Sequence, residues 1–191
     1  MNDEQSDETL MLAYQAGDAA AFDELYARHR SGLFRYITRQ CRMRTRAEEI
    51  FQEVWMSLIQ AAHRYRVEAQ FRTYLYTLAH HKLMDYFRSN ARAEAVLYEV
   101  KDENGEMEIV EGVASRTQEP EVRAETRQQG AAILRLLEGL PAPQREAFLL
   151  YEESGMSVEE IAEATGVSFE AAKSRLRYAV AKLRNGLAEF A

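Results

Sequence analysis

Apolar residues along this chain return every three or four positions over long stretches, and no alternating strand pattern appears. That spacing predicts helices. A first helix is expected from Asp7 to Ala16, stopped by Gly17. Asp18 then caps a second, which turns Phe22, Leu25, Tyr26, Leu33, Phe34 and Ile37 inward. Thr45 with Glu48 reads as a capping box opening a third helix through about Ala62, whose apolar face is Ile50, Val54, Leu58 and Ile59 with Phe51 and Trp55 beside it. A fourth long helix is expected from about Phe71 to Arg92. Periodicity then fails from Glu94 to Gln118, an acidic stretch poor in large residues that reads as a flexible linker, with Ile109 and Val110 docking locally. Pro120 opens a helix to Gly139, and Pro141 with Pro143 opens another, which sends Ala147, Phe148, Leu149 and Leu150 to a second core. The expectation is an all-α protein of two small helical domains, 1–93 and 120–191, joined by a flexible acidic linker, 94–119.

The pattern is most specific from Ser157 to Arg184, SVEEIAEATGVSFEAAKSRLRYAVAKLR. Ser157 and Glu160 match a capping box, Gly166 supplies the positive φ of a tight turn, and Ser168 can cap a following helix. Ile161 and Ala162 face inward, and Ala162 is small enough for a close helix crossing. In the second helix Ala172, Leu176, Ala179, Val180 and Leu183 form the buried stripe, with Lys173, Ser174, Arg177 and Glu170 opposite. This is the pattern of a helix-turn-helix, whose second helix enters the DNA major groove, and an ordinary helical hairpin with a solvated charged face fits the same spacing.

Charge sharpens that picture. The net charge of −7 looks wrong for a DNA binder until it is mapped. Residues 1–27 hold seven acids and no Lys or Arg, whereas residues 28–92 hold thirteen Lys and Arg against five acids, with all four histidines. Residues 93–129 are acidic again, ten against four, and residues 130–191 are nearly balanced, nine against seven. A basic middle block is the footprint of a polyanion-binding surface that the overall charge hides. The acidic N-terminus does not read as a signal peptide, and no apolar run is long enough to span a membrane, so a cytoplasmic protein without membrane insertion is expected. The single Cys41 has no internal disulfide partner, which suits a reducing compartment.

Phe71 to Arg88 mixes aromatic and basic residues on one helix, with Thr77, His81, Met84 and Arg88 along one stripe and His80 adjacent. The turn before it, His63 to Gln70, adds two Arg and a Tyr. Aromatics beside cations stack unpaired bases and hold a single-stranded backbone, although most of these aromatics must serve the core of so apolar a helix. His81 and Asp85 lie one turn apart, but no Cys or further His completes a metal-ligand set with His80. Glu49 and Glu53 lack partners for paired-carboxylate chemistry and read as a charged helix face. No nucleophile triad, phosphate loop or dinucleotide fingerprint occurs, so neither an enzyme nor a cofactor is expected. A stand-alone helix-turn-helix regulator with a helical sensor domain and a protein-interaction adaptor both remain open on these grounds.

Three stretches in order resemble the extracytoplasmic-function class of bacterial sigma factors, within the sigma-70 superfamily. Ala47 to Trp55, AEEIFQEVW, is similar to the segment that docks on the RNA polymerase β′ clamp helices. Phe71 to Arg88 is similar to the segment that melts and reads the −10 promoter element. Leu140 to Leu183 is similar to the −35-binding domain, including the core Lys173-Ser174-Arg175-Leu176. The resemblance implies that Glu49, Gln52 and Glu53 face polymerase, and that the loop from Tyr65 to Gln70 holds a flipped-out −10 base, at an unstacking cost of a few kcal/mol. It places Tyr65, Arg66, Gln70, Arg72, His80, His81 and Arg88 at the −10 strand and Ser168, Lys173, Ser174, Arg175 and Arg177 at the −35 element. It implies core RNA polymerase (β′ clamp helices and β flap), promoter DNA and an anti-sigma factor as partners, and no catalysis of its own. The chain departs from the family pattern at His81, where Asn is frequent, at Phe169-Glu170-Ala171-Ala172, where a Gly-Thr-Val run is common, and at Tyr178 and Val180, where Arg is frequent.

Overall fold

The computed structural model describes residues 5–41, 43–96, 130 and 132–188, with residues 90–96 described by their backbone alone. Among the described residues every regular element is helical. The first unit contains α1 (Asp7–Gln15), α2 (Ala19–Gln40), α3 (Arg44–Ala61) and α4 (Phe71–Val96), with a short 3-10 turn, Ala62–Arg64, after α3. The second contains a helix over residues 132–138 (α5), then α6 (Ala142–Ser154), α7 (Val158–Thr165) and α8 (Phe169–Ala188). The linker expected over 94–119 and the helix start expected at Pro120 lie largely outside the described residues. The described part, 94–96, continues α4.

Local chemistry explains most of the boundaries. Ser6 accepts from the Thr9 amide to start α1, and the Asp18 carboxylate accepts from the Ala20 amide to start α2. α3 departs from the expected capping box. It begins at Arg44, one residue before Thr45, and its N-cap is Met43 with no side-chain hydrogen bond. Arg44 takes up Glu48 in an i,i+4 ion pair at 3.0 Å, so the acid that a capping box needs is engaged elsewhere. The capping box does form at α7, where Ser157 accepts from the Glu160 amide and Glu160 accepts from the Ser157 amide. Gly166 closes α7 at φ 65°, a left-handed conformation that a side chain would strain.

Leu10, Met11, Leu25, Leu33, Ile37, Ile50, Val54, Leu58, Phe71, Leu75 and Leu83 fill the interior of the first unit. Phe22, Tyr26, Phe51 and Trp55 form a ring cluster along one side, with centroids 4.9–6.3 Å apart. Leu137, Leu140, Leu149, Leu150, Met156, Ile161, Ala172, Ala179 and Leu183 continue the same buried cluster into the second unit, so the separate second core expected from the sequence is instead one core shared across the two units. Burial pushes the Cys41 thiol up to about 11, which keeps it protonated and unreactive at neutral pH.

The two units do not stand apart: α6 packs on α2 and α4, and α7 packs on α4. Gly32 of α2 leaves room for the Tyr76 hydroxyl of α4, which a Cβ there would meet at 2.8 Å, and the Glu153 carbonyl oxygen of α6 lies 3.5 Å from the same point. The Tyr76 hydroxyl donates to the Glu153 carbonyl at 3.1 Å. The Glu153 carboxylate, 7% exposed, holds both Arg35 and Arg39 of α2. His80 Nδ1 lies 2.6 Å from Glu146 Oε1, with both side chains at most 10% exposed, and Thr73 donates to Glu160. Basic and hydroxyl groups of the first unit thus receive the carboxylates of the second. Arg35 and Arg39 keep solvent access, at 48% and 30% exposed, so their pairs contribute modestly. His80–Glu146 is enclosed, so removing either partner leaves a buried polar group unsatisfied. Glu146→Ala is expected to destabilise the fold by about 1–3 kcal/mol in urea titration. His80→Leu with Glu146→Leu is expected to recover much of that stability, because two apolar groups leave nothing unpaired. A neutral Glu146→Ala would contradict this account of the seam.

Candidate nucleic-acid interface

In the helix-turn-helix, Ser168 accepts from the Ala171 amide at 3.3 Å and fixes where α8 begins. Ala172, Ala179 and Leu183 are buried and Leu176 and Val180 half-buried, as the sequence pattern expects. α8 packs on α6 and α7, which leaves its far side outward. Lys173 and Arg177 are exposed on that side, Ser168 is exposed at its start, and Ser174 and Arg175 are half-buried beside it. The Lys173 ammonium stands 5.6 Å from the Phe169 ring centroid and the Arg177 guanidinium 5.0 Å from that of Tyr178, so the rings hold both cations along the helix surface.

The loop ahead of α4 is held by residues distant in sequence. The Phe71 amide, which no intrahelical partner can satisfy, donates to Glu8 Oε1 of α1 at 2.7 Å. Gln15 donates to the carbonyls of Ala62 and Tyr65. The Tyr65 ring is 7% exposed and packs on Phe71 and Tyr74, which anchors the loop. An open groove of about 750 Å³ results, lined by Asp7, Glu8, Val67, Glu68, Gln70 and Arg72 among others. Arg66 and Gln70 are exposed at its loop and Arg72 is half-buried, lying over Gly155 at the end of α6. The amide hydrogen bond from Phe71, opposed by partial burial, holds the Glu8 carboxyl below its usual range.

Further along α4, His81 and Arg88 are exposed, Arg88 pairing with Asp85 at 3.3 Å, whereas His80 is enclosed against Glu146. His80 therefore does not share an open surface with His81 in this arrangement. On α3, Glu49, Gln52 and Glu53 are all exposed on one face. Glu49 pairs with Arg46, and Glu53 lies 3.8 Å from Lys82 of α4. Met56, 52% exposed, extends the same face by a turn, an apolar residue that the helical pattern does not single out. The pattern misses Ser6, Asp7 and Glu8 as well. Glu8 caps a helix that begins 63 positions later, and capping signals are legible only when cap and helix are neighbours.

Two helical units, one ending in an N-capped helix-turn-helix and the other bearing a basic helix beside a groove, define a two-part helical DNA-binding protein. Residues 25–93 match the family model for sigma-70 region 2, and residues 130–183 match that for sigma-70 region 4. The chain is 31% identical to the ECF RNA polymerase sigma factor SigM of Mycobacterium tuberculosis over 94% of its own length and 84% of the relative's. It is also 31% identical to the ferric citrate uptake sigma factor FecI of Escherichia coli over 83% and 86%. The solved structure of CnrH in complex with the cytosolic domain of CnrY has a similar fold, at TM-score 0.66 and 22% identity over 98% of this chain and 100% of that one. So does the sigma factor RpoE of Bartonella quintana, solved with the anti-sigma factor NepR, at TM-score 0.68 and 20% identity over 87% and 96%. The chain belongs to the extracytoplasmic-function family of RNA polymerase sigma factors, which are transcription initiation factors. No helix among the described residues is long and apolar enough to cross a membrane.

A depressed carboxyl contributes stability above its ordinary value of 4.5 and loses that contribution as pH falls through its folded value. The chain is therefore expected to lose stability below about pH 4.5. Glu8→Gln, which keeps a neutral acceptor for Phe71, should flatten part of that acid slope in urea titrations at stepped pH. Identical acid slopes in the two proteins would contradict a charged Glu8 cap.

Proposed function

We propose that the chain works as two units, 1–93 and 120–191 with 94–119 between them, each contacting a different part of a promoter complex. The observation that carries this reading is α8, a capped helix with Lys173, Ser174, Arg175 and Arg177 on or beside a side that no other helix covers among the described residues. These residues and Ser168 contact the −35 duplex, where Lys and Arg meet phosphates and guanine edges. Glu49, Gln52 and Glu53 face the polymerase β′ clamp helices, with Met56 as an apolar addition, and the second unit meets the β flap. The groove beside Tyr65, Arg66, Gln70 and Arg72 receives a flipped −10 base, and His81 and Arg88 flank the strand. The protein acts in the cytoplasm with core polymerase. An anti-sigma factor restrains it, a reading supported by the complexes in which CnrH and RpoE were solved.

Size imposes one consequence. A compact body of this length has a radius of gyration of about 16 Å. Promoter elements centred about 25 base pairs apart lie roughly 85 Å apart on straight DNA. The packed arrangement cannot reach both, and His80 cannot touch a strand while it is enclosed by Glu146. Engaging a promoter therefore requires the α2/α4–α6/α7 seam to open. In this reading the linker expected over 94–119 lets the two units separate.

Run-off transcription with purified core polymerase and genomic DNA is expected to yield new start sites that share upstream and downstream elements. Arg177→Ala should weaken the sites with a shared −35 sequence by about 1–3 kcal/mol for each base pair that Arg177 reads. A weakening equal across all sequences would make Arg177 a phosphate contact. Stable duplex binding by the protein alone, with no polymerase-dependent starts, would favour a stand-alone regulator instead.

A further inference from the structure

The outward side of α8 carries a large apolar group that polar readout of the duplex leaves unused. Phe169 is the first residue of α8 and remains 40% exposed, whereas the buried stripe of that helix starts at Ala172. Positions 169, 170, 173, 174 and 177 of a 3.6-residue helix fall on one broad side. Phe169 therefore stands beside Glu170, Lys173, Ser174 and Arg177, at the N-terminal end by which a recognition helix meets base edges. The Ser168 cap fixes the ring's place relative to the turn, and the Lys173 ammonium 5.6 Å from its centroid restrains it from above. A ring beside the Lys173 cation, with Arg177 further along the same side, suits a surface that is anionic at its rims and apolar at one spot. In the major groove the apolar feature on a base edge is the C5 methyl of thymine. The neighbouring Glu170 carboxylate accepts hydrogen bonds only and suits the amino group of a cytosine.

We propose that Phe169 is a specificity residue that reads a thymine methyl group within the upstream promoter element. This rests on the assignment of α8 to the −35 duplex. The preference it adds is apolar, and so differs in kind from the polar contacts of Lys173, Ser174 and Arg177.

Deoxyuridine pairs as thymine does but lacks the methyl, so it isolates the contact without altering the protein. Holoenzyme assembled from this chain and core polymerase would first select a preferred upstream element from promoter duplexes randomised there. Each thymine of the selected element would then be replaced singly by deoxyuridine and binding measured. At one position the replacement should weaken wild-type holoenzyme by about fourfold, the effect of burying one methyl. Phe169→Ala holoenzyme should bind the thymine duplex more weakly and show no difference between thymine and uracil at that position. Phe169→Leu should keep part of the discrimination. Deoxyuridine without effect at every position, or with equal effect on wild type and Phe169→Ala, would overturn the proposal while leaving the −35 assignment intact. Polymerase-dependent transcription with no upstream preference at all would overturn both.

Discussion

The seam between the two helical units sets how the parts of this molecule stand to one another and encloses His80. Three carboxylates of the second unit, Glu146, Glu153 and Glu160, meet His80, the Arg35–Arg39 pair and Thr73 of the first. Exposed pairs of this kind contribute little. Here the carboxylates of Glu146 and Glu153 are largely withdrawn from water, so each is costly to leave unpaired. The seam is strong only while it is complete, which suits a contact that is either closed or open. It also draws on the same basic block that charge mapping marks as the polyanion footprint. On the proposed reading, closing the seam and binding DNA compete for some of the same groups, His80 most directly.

The helices and their inward faces were legible because 3.6-residue periodicity survives in the sequence. The helix-turn-helix was legible in detail because its capping box, its left-handed glycine and its second cap all lie within a dozen residues of one another. Thr45 misled because the same local signal competes with an Arg44–Glu48 ion pair, and that competition is settled by side-chain reach rather than by spacing. The long-range features were not legible. Glu8 capping α4, Gly32 admitting the Tyr76 hydroxyl and Glu146 meeting His80 join residues 44 to 66 positions apart. Nothing in either local segment names its partner.

The groove and the recognition helix are built on different principles. The groove is assembled from two separate stretches, 6–8 and 67–72, joined by the Phe71 amide donating to Glu8, so its shape is tied to the packing of α1. The α8 surface is set within one supersecondary unit and stands outward in the packed arrangement. Of the groups proposed to read DNA, those on α8 and at the groove are accessible in the packed arrangement, whereas His80 is enclosed by Glu146. Thin positive charge on α8 is less of a handicap when polymerase delivers the helix to DNA, because tethering raises its effective concentration.

The claim that these halves are packed in the free protein and separated on a promoter is tested by measuring the distance between them. Single-molecule energy transfer between dyes at the exposed positions Asp23 of α2 and Asn185 of α8, in a Cys41→Ser background, reports it directly. The account predicts one short distance for the free chain, which lengthens by tens of ångströms when core polymerase and promoter DNA are bound, as elements about 85 Å apart require. A distance unchanged between the free chain and the promoter complex would contradict it.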